Sequence, residues 1–117
     1  MNRSVGILCV LLATACATAP QAPNAPLDRA RFERVLAGAL LVESRIGREI
    51  TLEGRKDSTA AGYYDDLYRQ EGITEADFKA TYEAYLERPE LLKDVYQEVL
   101  IQLQHHADSI GHAAATE

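Results

Sequence analysis

The sequence predicts an all-α fold, a small bundle of about four amphipathic helices after a signal peptide and a proline-rich tether. Apolar residues recur at helical spacing through most of the chain, and no alternating run is long enough for a strand. A length of 117 residues allows at most one small domain. We therefore expect a signal peptide over residues 1–15, a tether over 16–26, a helical domain over 27–112 and a frayed tail over 113–117.

The first fifteen residues have the pattern of an export signal. Arg3 supplies a positive charge, an apolar run follows over residues 5–12, and small residues stand directly before Cys16. The apolar run is far shorter than the roughly 20 residues of a membrane-spanning helix. The pattern resembles a bacterial lipobox, which predicts lipidation of Cys16. The alternative is a plain secretory signal cut after Ala15 or Ala17, in which the cysteine is an incidental apolar residue.

Residues 17–26, with the sequence ATAPQAPNAP, are uncharged and contain three of the four prolines. Such a segment favours extended backbone, so we expect it to hold the domain away from a membrane. The second position of the predicted mature chain, directly after Cys16, is not acidic. Inner-membrane lipoproteins of Gram-negative bacteria usually carry an acidic residue there. We therefore expect an outer-membrane location with the domain facing the periplasm. Cys9 would leave with the signal, so the mature chain would keep no second thiol for a disulfide.

The charge of the chain bears on its partners. A net charge of -6 and a pI near 5.0 argue against nucleic acid, which requires a basic surface. The partners we expect are the lipid bilayer, through acylated Cys16, and an envelope protein.

Capping signals and apolar spacing predict the first two helices. Asp28 caps the first helix, and Leu27 with Phe32 has the spacing of a hydrophobic staple. Gly47 predicts its end, with a weakened helix to Ile50 as the alternative. Asp57 or Ser58 caps the second helix, which ends at Glu71. The apolar stripe of the first helix consists of Phe32, Val35, Leu36, Ala39, Val42 and Ile46.

The segment from Gly72 to Leu103 predicts the second half of the bundle. Gly72 is suited to the left-handed residue that ends the second helix, and Ile73 could close a Schellman-type contact with Tyr68. Thr74 and Asp77 form a capping pair at the start of the third helix. Pro89 suits the first turn of the fourth helix, which we expect to end near Ile110. We expect Phe78 to be largely buried at the centre of the fold, and Thr81 and Tyr85 to bring two hydroxyls together near it.

Several short motifs carry a resemblance to a known family. The motifs, between about Phe32 and Leu103, are Tyr64-x-x-Leu67, Gly72-Ile73-Thr74, Phe78-x-x-Thr81, Tyr85, Pro89-Glu90 and Tyr96-x-x-Val99. With them the chain resembles the domain of unknown function 4296 family, small bacterial lipoproteins with one helical domain. That resemblance implies a helical domain on a lipid anchor, with no established activity, cofactor or catalytic residue. In the family's first helix an aspartate commonly stands five residues before a glutamate, whereas here Gly38 precedes Glu43.

The titratable residues predict neither catalysis nor a metal site. Adjacent His105 and His106 point about 100° apart on a helix, so they cannot easily share a metal. His105 with Asp108 supplies two ligands, fewer than a closed site needs. A solvated helix end, where charged histidines such as His112 suit the dipole, is the preferred interpretation. We expect no cofactor, no metal and no enzymatic activity.

Three residues are candidates for binding. Glu43 stands at the edge of the first helix's apolar stripe; we expect it to accept a hydrogen bond from a tyrosine or an arginine, and an acid in a cleft is the alternative. Tyr63 and Tyr64 are adjacent and cannot both point inward, which predicts an exposed Tyr63 ring. Tyr63 and Tyr82 are therefore candidates for a partner surface, because tyrosine is enriched at interfaces.

These observations predict a membrane-anchored envelope lipoprotein that acts as a non-enzymatic interaction or accessory module. The alternative is a periplasmic chaperone-like helical module, because Gly72-Ile73-Thr74-x-x-x-Phe78 followed by paired helices resembles helical regions of periplasmic foldases. An extended apolar groove would favour the chaperone-like module. A convergent polar pocket with strongly perturbed acids would instead favour an enzyme.

Overall fold

The computed structural model describes residues 20–53 and 60–116. The predicted signal peptide, Cys16 and the caps at Asp57 or Ser58 lie outside these residues. The described residues contain no strand, which confirms the small all-α bundle. Its four helices are α1 (Arg29–Glu53), α2 (Ala60–Glu71), α3 (Glu75–Leu86) and α4 (Pro89–Ala115).

Helix α1 begins as the sequence predicts. The Arg31 amide donates to the Asp28 carboxylate at 2.9 Å, and the Phe32 amide donates to the Asp28 carbonyl at 2.9 Å. Leu27 and Phe32 are buried in the same apolar cluster, as a hydrophobic staple requires. Asp28 therefore caps α1, and the staple determines the direction in which the chain enters it.

The predicted end of α1 at Gly47 is wrong, because the helix continues to Glu53. A glycine inside a helix costs about 1 kcal/mol relative to alanine. The contact of α2 with this part of α1 offsets that cost, since the Tyr63 hydroxyl donates to the Glu49 carboxylate at 2.7 Å. Tertiary contact thus extends a helix that its own sequence weakens.

A Schellman motif ends α2, as predicted. Gly72 has a φ of 66°, a left-handed conformation that costs glycine little. Its amide donates to the Arg69 carbonyl at 3.2 Å, and the Ile73 amide donates to the Tyr68 carbonyl at 3.0 Å. These two bonds satisfy carbonyls at the helix end that would otherwise lack a partner.

A capping box begins α3 only two residues later. The Asp77 amide donates to the Thr74 hydroxyl at 3.1 Å, and the Thr74 amide donates to the Asp77 carboxylate at 3.2 Å. The predicted pair is confirmed, and only Gly72, Ile73 and Thr74 separate α2 from α3.

Helix α4 begins with Pro89 in its first turn, as predicted, and ends later than predicted. The expected end near Ile110 is wrong, because the helix continues to Ala115. Residues 113–115 are alanines, which have the highest helix propensity, and no proline or cap interrupts them.

Helix α1 lies at the centre of the bundle and packs against each of the other helices. Arg34 near its start contacts Glu71 at the end of α2, and Glu49 near its end contacts Tyr63 at the start of α2. Helix α2 therefore runs antiparallel to α1. One apolar cluster joins α1 to α3 and α4; its buried members are Leu27, Phe32, Leu36, Tyr85, Leu91, Val95 and Val99. A smaller cluster joins α1 to α2 and consists of Val35, Ala39 and Leu67.

Phe32, rather than Phe78, is the central aromatic residue. Phe32 is fully buried, and its ring stacks on Tyr85 with centroids 4.7 Å apart. Phe78 is half-buried and lies at the border of both clusters, 5.9 Å from the Phe32 ring. The predicted packing of Phe78 against the cluster of Leu36, Val95 and Val99 is confirmed. Its predicted place at the centre of the fold is wrong, because α1 packs against each of the other helices and carries its own aromatic ring, Phe32, into the centre.

Candidate functional site

The first candidate residue, Tyr63, packs on α1. It is half-buried, its hydroxyl lies 2.7 Å from one Glu49 carboxylate oxygen, and the Arg45 guanidinium lies 4.2 Å from the centre of its ring. Arg45 also donates to Glu49 at 3.1 Å, so the three side chains form one network. The predicted exposed ring is therefore wrong, and much of the Tyr63 side chain joins α2 to α1.

The adjacent tyrosine makes the second contact between the same helices. The Tyr64 hydroxyl donates to the Glu43 carboxylate, which confirms the predicted hydrogen bond from a tyrosine to Glu43. Burial, followed by the carboxylate itself, raises the pKa of the Tyr64 phenol, so Tyr64 remains a protonated donor. Glu43 is exposed rather than partly buried. Its geometry is that of a surface acceptor, whereas an acid in a cleft would be enclosed.

A cavity of about 320 Å³ lies between α1 and α2. Its polar lining is mainly Arg45, Tyr63, Asp66 and Gln70. Arg45 is paired with Glu49, and the exposed Asp66 carboxylate accepts from Arg69 at 2.9 Å. The charged groups on this lining are thus engaged by neighbours on their own helices. The remaining lining residues are Gly38, Leu41, Val42 and Leu67.

Gly38 permits the close approach of α1 and α2. A Cβ atom placed on Gly38 would overlap a methyl group of Leu67, which is buried on α2. In the sequence, Gly38 is distinguished only as the position where the family commonly carries an aspartate. A glycine inside an amphipathic helix can mark close packing, because it otherwise weakens the helix. The sequence alone does not distinguish Gly38 from Gly47 of the same helix, which has open space around it.

The second candidate residue, Tyr82, lines a concavity of about 380 Å³ whose lining residues all belong to α3. The Tyr82 and Tyr96 hydroxyls lie 2.9 Å apart, and burial followed by that hydrogen bond raises the pKa of Tyr96 to about 12. Leu86 at one end of the concavity is 54% exposed. The concavity therefore presents apolar surface beside charged groups; its lining residues are Phe78, Lys79, Tyr82, Glu83 and Leu86.

Thr81 connects the N-terminal segment to α3. The Leu27 amide donates to the Thr81 hydroxyl at 3.1 Å, and that hydroxyl donates to the Asp77 carbonyl at 2.7 Å. Thr81 is completely buried. The expected pairing of Thr81 with the Tyr85 hydroxyl does not occur, and the Tyr85 hydroxyl has no hydrogen-bond partner among the described residues.

The histidines of α4 lie on its exposed C-terminal half. A ring nitrogen of His112 lies 3.2 Å from the Asp108 carbonyl, one turn earlier. Within residues 20–53 and 60–116, no three His, Cys, Asp or Glu side chains come together in a way that would hold a metal ion. In the same residues, no helix has the length and apolar character needed to cross a bilayer.

These features define a small helical domain with a central helix, aromatic-lined concavities on α2 and α3, and hydrogen-bonded side-chain pairs on its surface. The model of a family described as a domain of unknown function, number 4296, matches residues 23–109. The chain therefore belongs to the domain of unknown function 4296 family, as its motifs indicate. A search of curated proteins and a search of solved structures each found no match.

Proposed function

We propose that this protein is an envelope lipoprotein, anchored in the outer membrane through Cys16, whose helical domain docks a protein partner in the periplasm without catalysing a reaction. The observation that carries the proposal is the order of features in the chain. An apolar run ends in small residues at Cys16, an uncharged proline-rich segment follows, and a folded domain begins at once. That order suits a domain held at a short distance from a membrane.

The start of the folded domain supports the tether. Leu27 is buried, and its amide is bonded to Thr81 in α3. The ten residues between Cys16 and Leu27 would span at most about 35 Å when extended. A lipidated Cys16 would therefore keep this end of the bundle near the bilayer surface.

Replacement of the two cysteines one at a time tests the anchor. Cys16→Ser removes the sulfur that would carry lipid, and we expect it to move the protein from the membrane fraction to the soluble periplasmic fraction. Cys9→Ser is the matched control, because Cys9 would leave with the signal and its loss should not change fractionation. A parent protein that already fractionates as soluble would contradict the anchor, and so would membrane retention of the Cys16→Ser variant.

The α3 concavity is the surface that best suits a partner. Phe78 and Tyr82 are half-buried, Leu86 is exposed, and Lys79 and Glu83 stand beside them. Interface centres commonly combine aromatic and apolar area with a polar rim. We expect an envelope protein to place one apolar side chain in this concavity, with polar contacts around it.

Crosslinking in intact cells tests the concavity. Leu86→Ser removes its exposed apolar side chain and should weaken the crosslink to the partner. Leu52→Ser is the control, because Leu52 is 76% exposed at the other end of the bundle. If both variants crosslink as well as the parent, the partner binds elsewhere.

The chaperone-like alternative requires apolar surface that extends beyond one concavity. Leu86 gives it some support, because an exposed leucine beside two aromatic residues can hold unfolded segments. A volume of about 380 Å³ accommodates a side chain rather than a long segment. Suppression of the aggregation of an unfolded client by the parent, and its loss in the Leu86→Ser variant, would favour the alternative.

A further inference from the structure

From Gln104 onward, α4 has no packing partner among the described residues. Every residue from Gln104 to Thr116 is exposed, although the helix remains regular to Ala115. An isolated helix of about 12 residues is marginal in water. Ile110 on this segment is 57% exposed, and Leu100, one turn before it, is 59% exposed. A surface that covers them would stabilise the helix.

Apolar and small residues from Leu100 to Ala114 follow a heptad pattern. They are separated by three, four, three and four residues, which places them on one face of the helix. Leu103 is half-buried against the bundle, and the other four members are exposed. We call this face the α4 stripe; it consists of Leu100, Leu103, Ala107, Ile110 and Ala114.

The charge of this region indicates which partner can cover it. The whole chain has a net charge of -6, so two copies repel each other over most of their surface. From Ile101 to Thr116 the only Asp, Glu, Lys or Arg residue is Asp108. Two copies can therefore approach along this segment with the least electrostatic cost.

We propose that the α4 stripe pairs with the α4 stripe of a second copy in an antiparallel, two-fold arrangement. With the two-fold axis beside His105, Leu100 faces Ile110 of the second copy, and Leu103 faces Ala107 of the second copy. In the heptad pattern, Leu100 and Ala107 occupy the first apolar position (a), and Leu103 and Ile110 occupy the second (d). Each contact between the two copies then pairs an a residue with a d residue, and in one of these contacts the large Leu103 meets the small Ala107. One surface serves both copies, as a closed dimer requires.

The pairing is weak. Four stripe positions on each copy meet stripe positions of the other, and they cover much less than the roughly 800 Å² per partner of a standard interface. Association therefore depends on the local concentration of the protein. The proposal goes beyond the docking of an envelope protein and does not depend on lipidation of Cys16.

Disulfide trapping of full-length chains in cells tests the pairing and its direction. One tagged copy carries Leu103→Cys, and a second copy with a different tag carries Ala107→Cys. We expect an added oxidant to join the two tags. Two copies that both carry Ile101→Cys are the collision control, because Ile101 points about 100° away from Leu100 on the helix. The parent chains measure the background from the native cysteines.

Charged substitutions provide the second measurement. Leu100→Glu combined with Ile110→Glu should abolish the trapped pair, whereas Ile101→Glu, at a position 51% exposed, should retain it. No trapping above the collision control would overturn the proposal. Trapping between two Leu103→Cys copies in preference to the mixed pair would indicate a parallel arrangement and would also overturn it. Trapping of a protein of different mass alone would assign the stripe to another partner.

Discussion

The amide of Leu27 donates to the hydroxyl of Thr81, 54 residues later, and Thr81 is completely buried. The same hydroxyl donates to the Asp77 carbonyl. The Thr81 side chain therefore accepts one hydrogen bond from a buried amide and donates another, which leaves neither group without a partner. Through this contact the segment before α1 is joined to α3, and the folded domain begins at the end of the proline-rich residues.

We expect Thr81→Val to destabilise the domain by about 1–3 kcal/mol, because it keeps the shape and leaves the Leu27 amide buried without an acceptor. Urea unfolding of parent and variant measures the difference. Thr51→Val, at an exposed position of α1, is the control and should change stability little. A Thr81→Val variant as stable as the control would show that the Leu27 contact contributes nothing.

Removal of the Tyr85 hydroxyl should not destabilise the domain, in contrast to removal of the Thr81 hydroxyl. It is buried without a partner among the described residues, and burial raises the pKa of this phenol. Tyr85→Phe removes the unsatisfied group and keeps the ring that stacks on Phe32, so we expect unchanged or slightly increased stability.

Tyr64→Phe is the matched comparison, because it removes a hydroxyl that donates to Glu43. We expect it to cost about 0.5–1.5 kcal/mol in the same urea experiment. A larger loss for Tyr85→Phe than for Tyr64→Phe would mean that the Tyr85 hydroxyl has a bond in solution.

Two glycines of α1 should respond in opposite directions to alanine. Gly47→Ala places a Cβ in open space and should stabilise α1 by up to about 1 kcal/mol. Gly38→Ala forces a Cβ against the buried Leu67 and should destabilise the domain despite its better helix propensity. Thermal unfolding measures both changes.

A double-mutant cycle verifies the cause. In a Leu67→Ala background the overlap disappears, so Gly38→Ala should lose its penalty. A penalty of the same size in both backgrounds would place its origin elsewhere than in Leu67.

Truncation of the two phenylalanines should rank them by burial. Phe32→Ala removes the fully buried ring and should cost about 3–5 kcal/mol. Phe78→Ala should cost less, because Phe78 is half-buried between the clusters. If Phe32→Ala fails to fold, Phe32→Leu and Phe78→Leu give the same comparison with smaller losses. An equal or larger cost at Phe78 would contradict the central position of Phe32.

The local signals in the sequence determined the helix starts and the main turn. Asp28 capped α1, Gly72 ended α2, and Thr74 with Asp77 began α3, as predicted. Each signal acts within a few residues, through a backbone angle or a hydrogen bond that its own side chain makes, so it can be recognised without a fold. The apolar stripes likewise determined that the fold is an all-α bundle.

Only the tertiary structure decided which residues meet. The bond from Leu27 to Thr81, the approach of Gly38 to Leu67 and the engagement of Tyr63 by Glu49 all join separate elements. The pattern of α1 identified its apolar face, but that pattern does not specify the rotation or the depth at which each neighbouring helix packs. For that reason Phe32 occupies the centre in place of Phe78, and the Tyr63 ring lies against α1. Helix α1 also continues through Gly47. The ion pair of Arg45 with Glu49 spans the glycine, and the bond from Tyr63 of α2 to Glu49 adds a contact that the sequence of α1 does not contain.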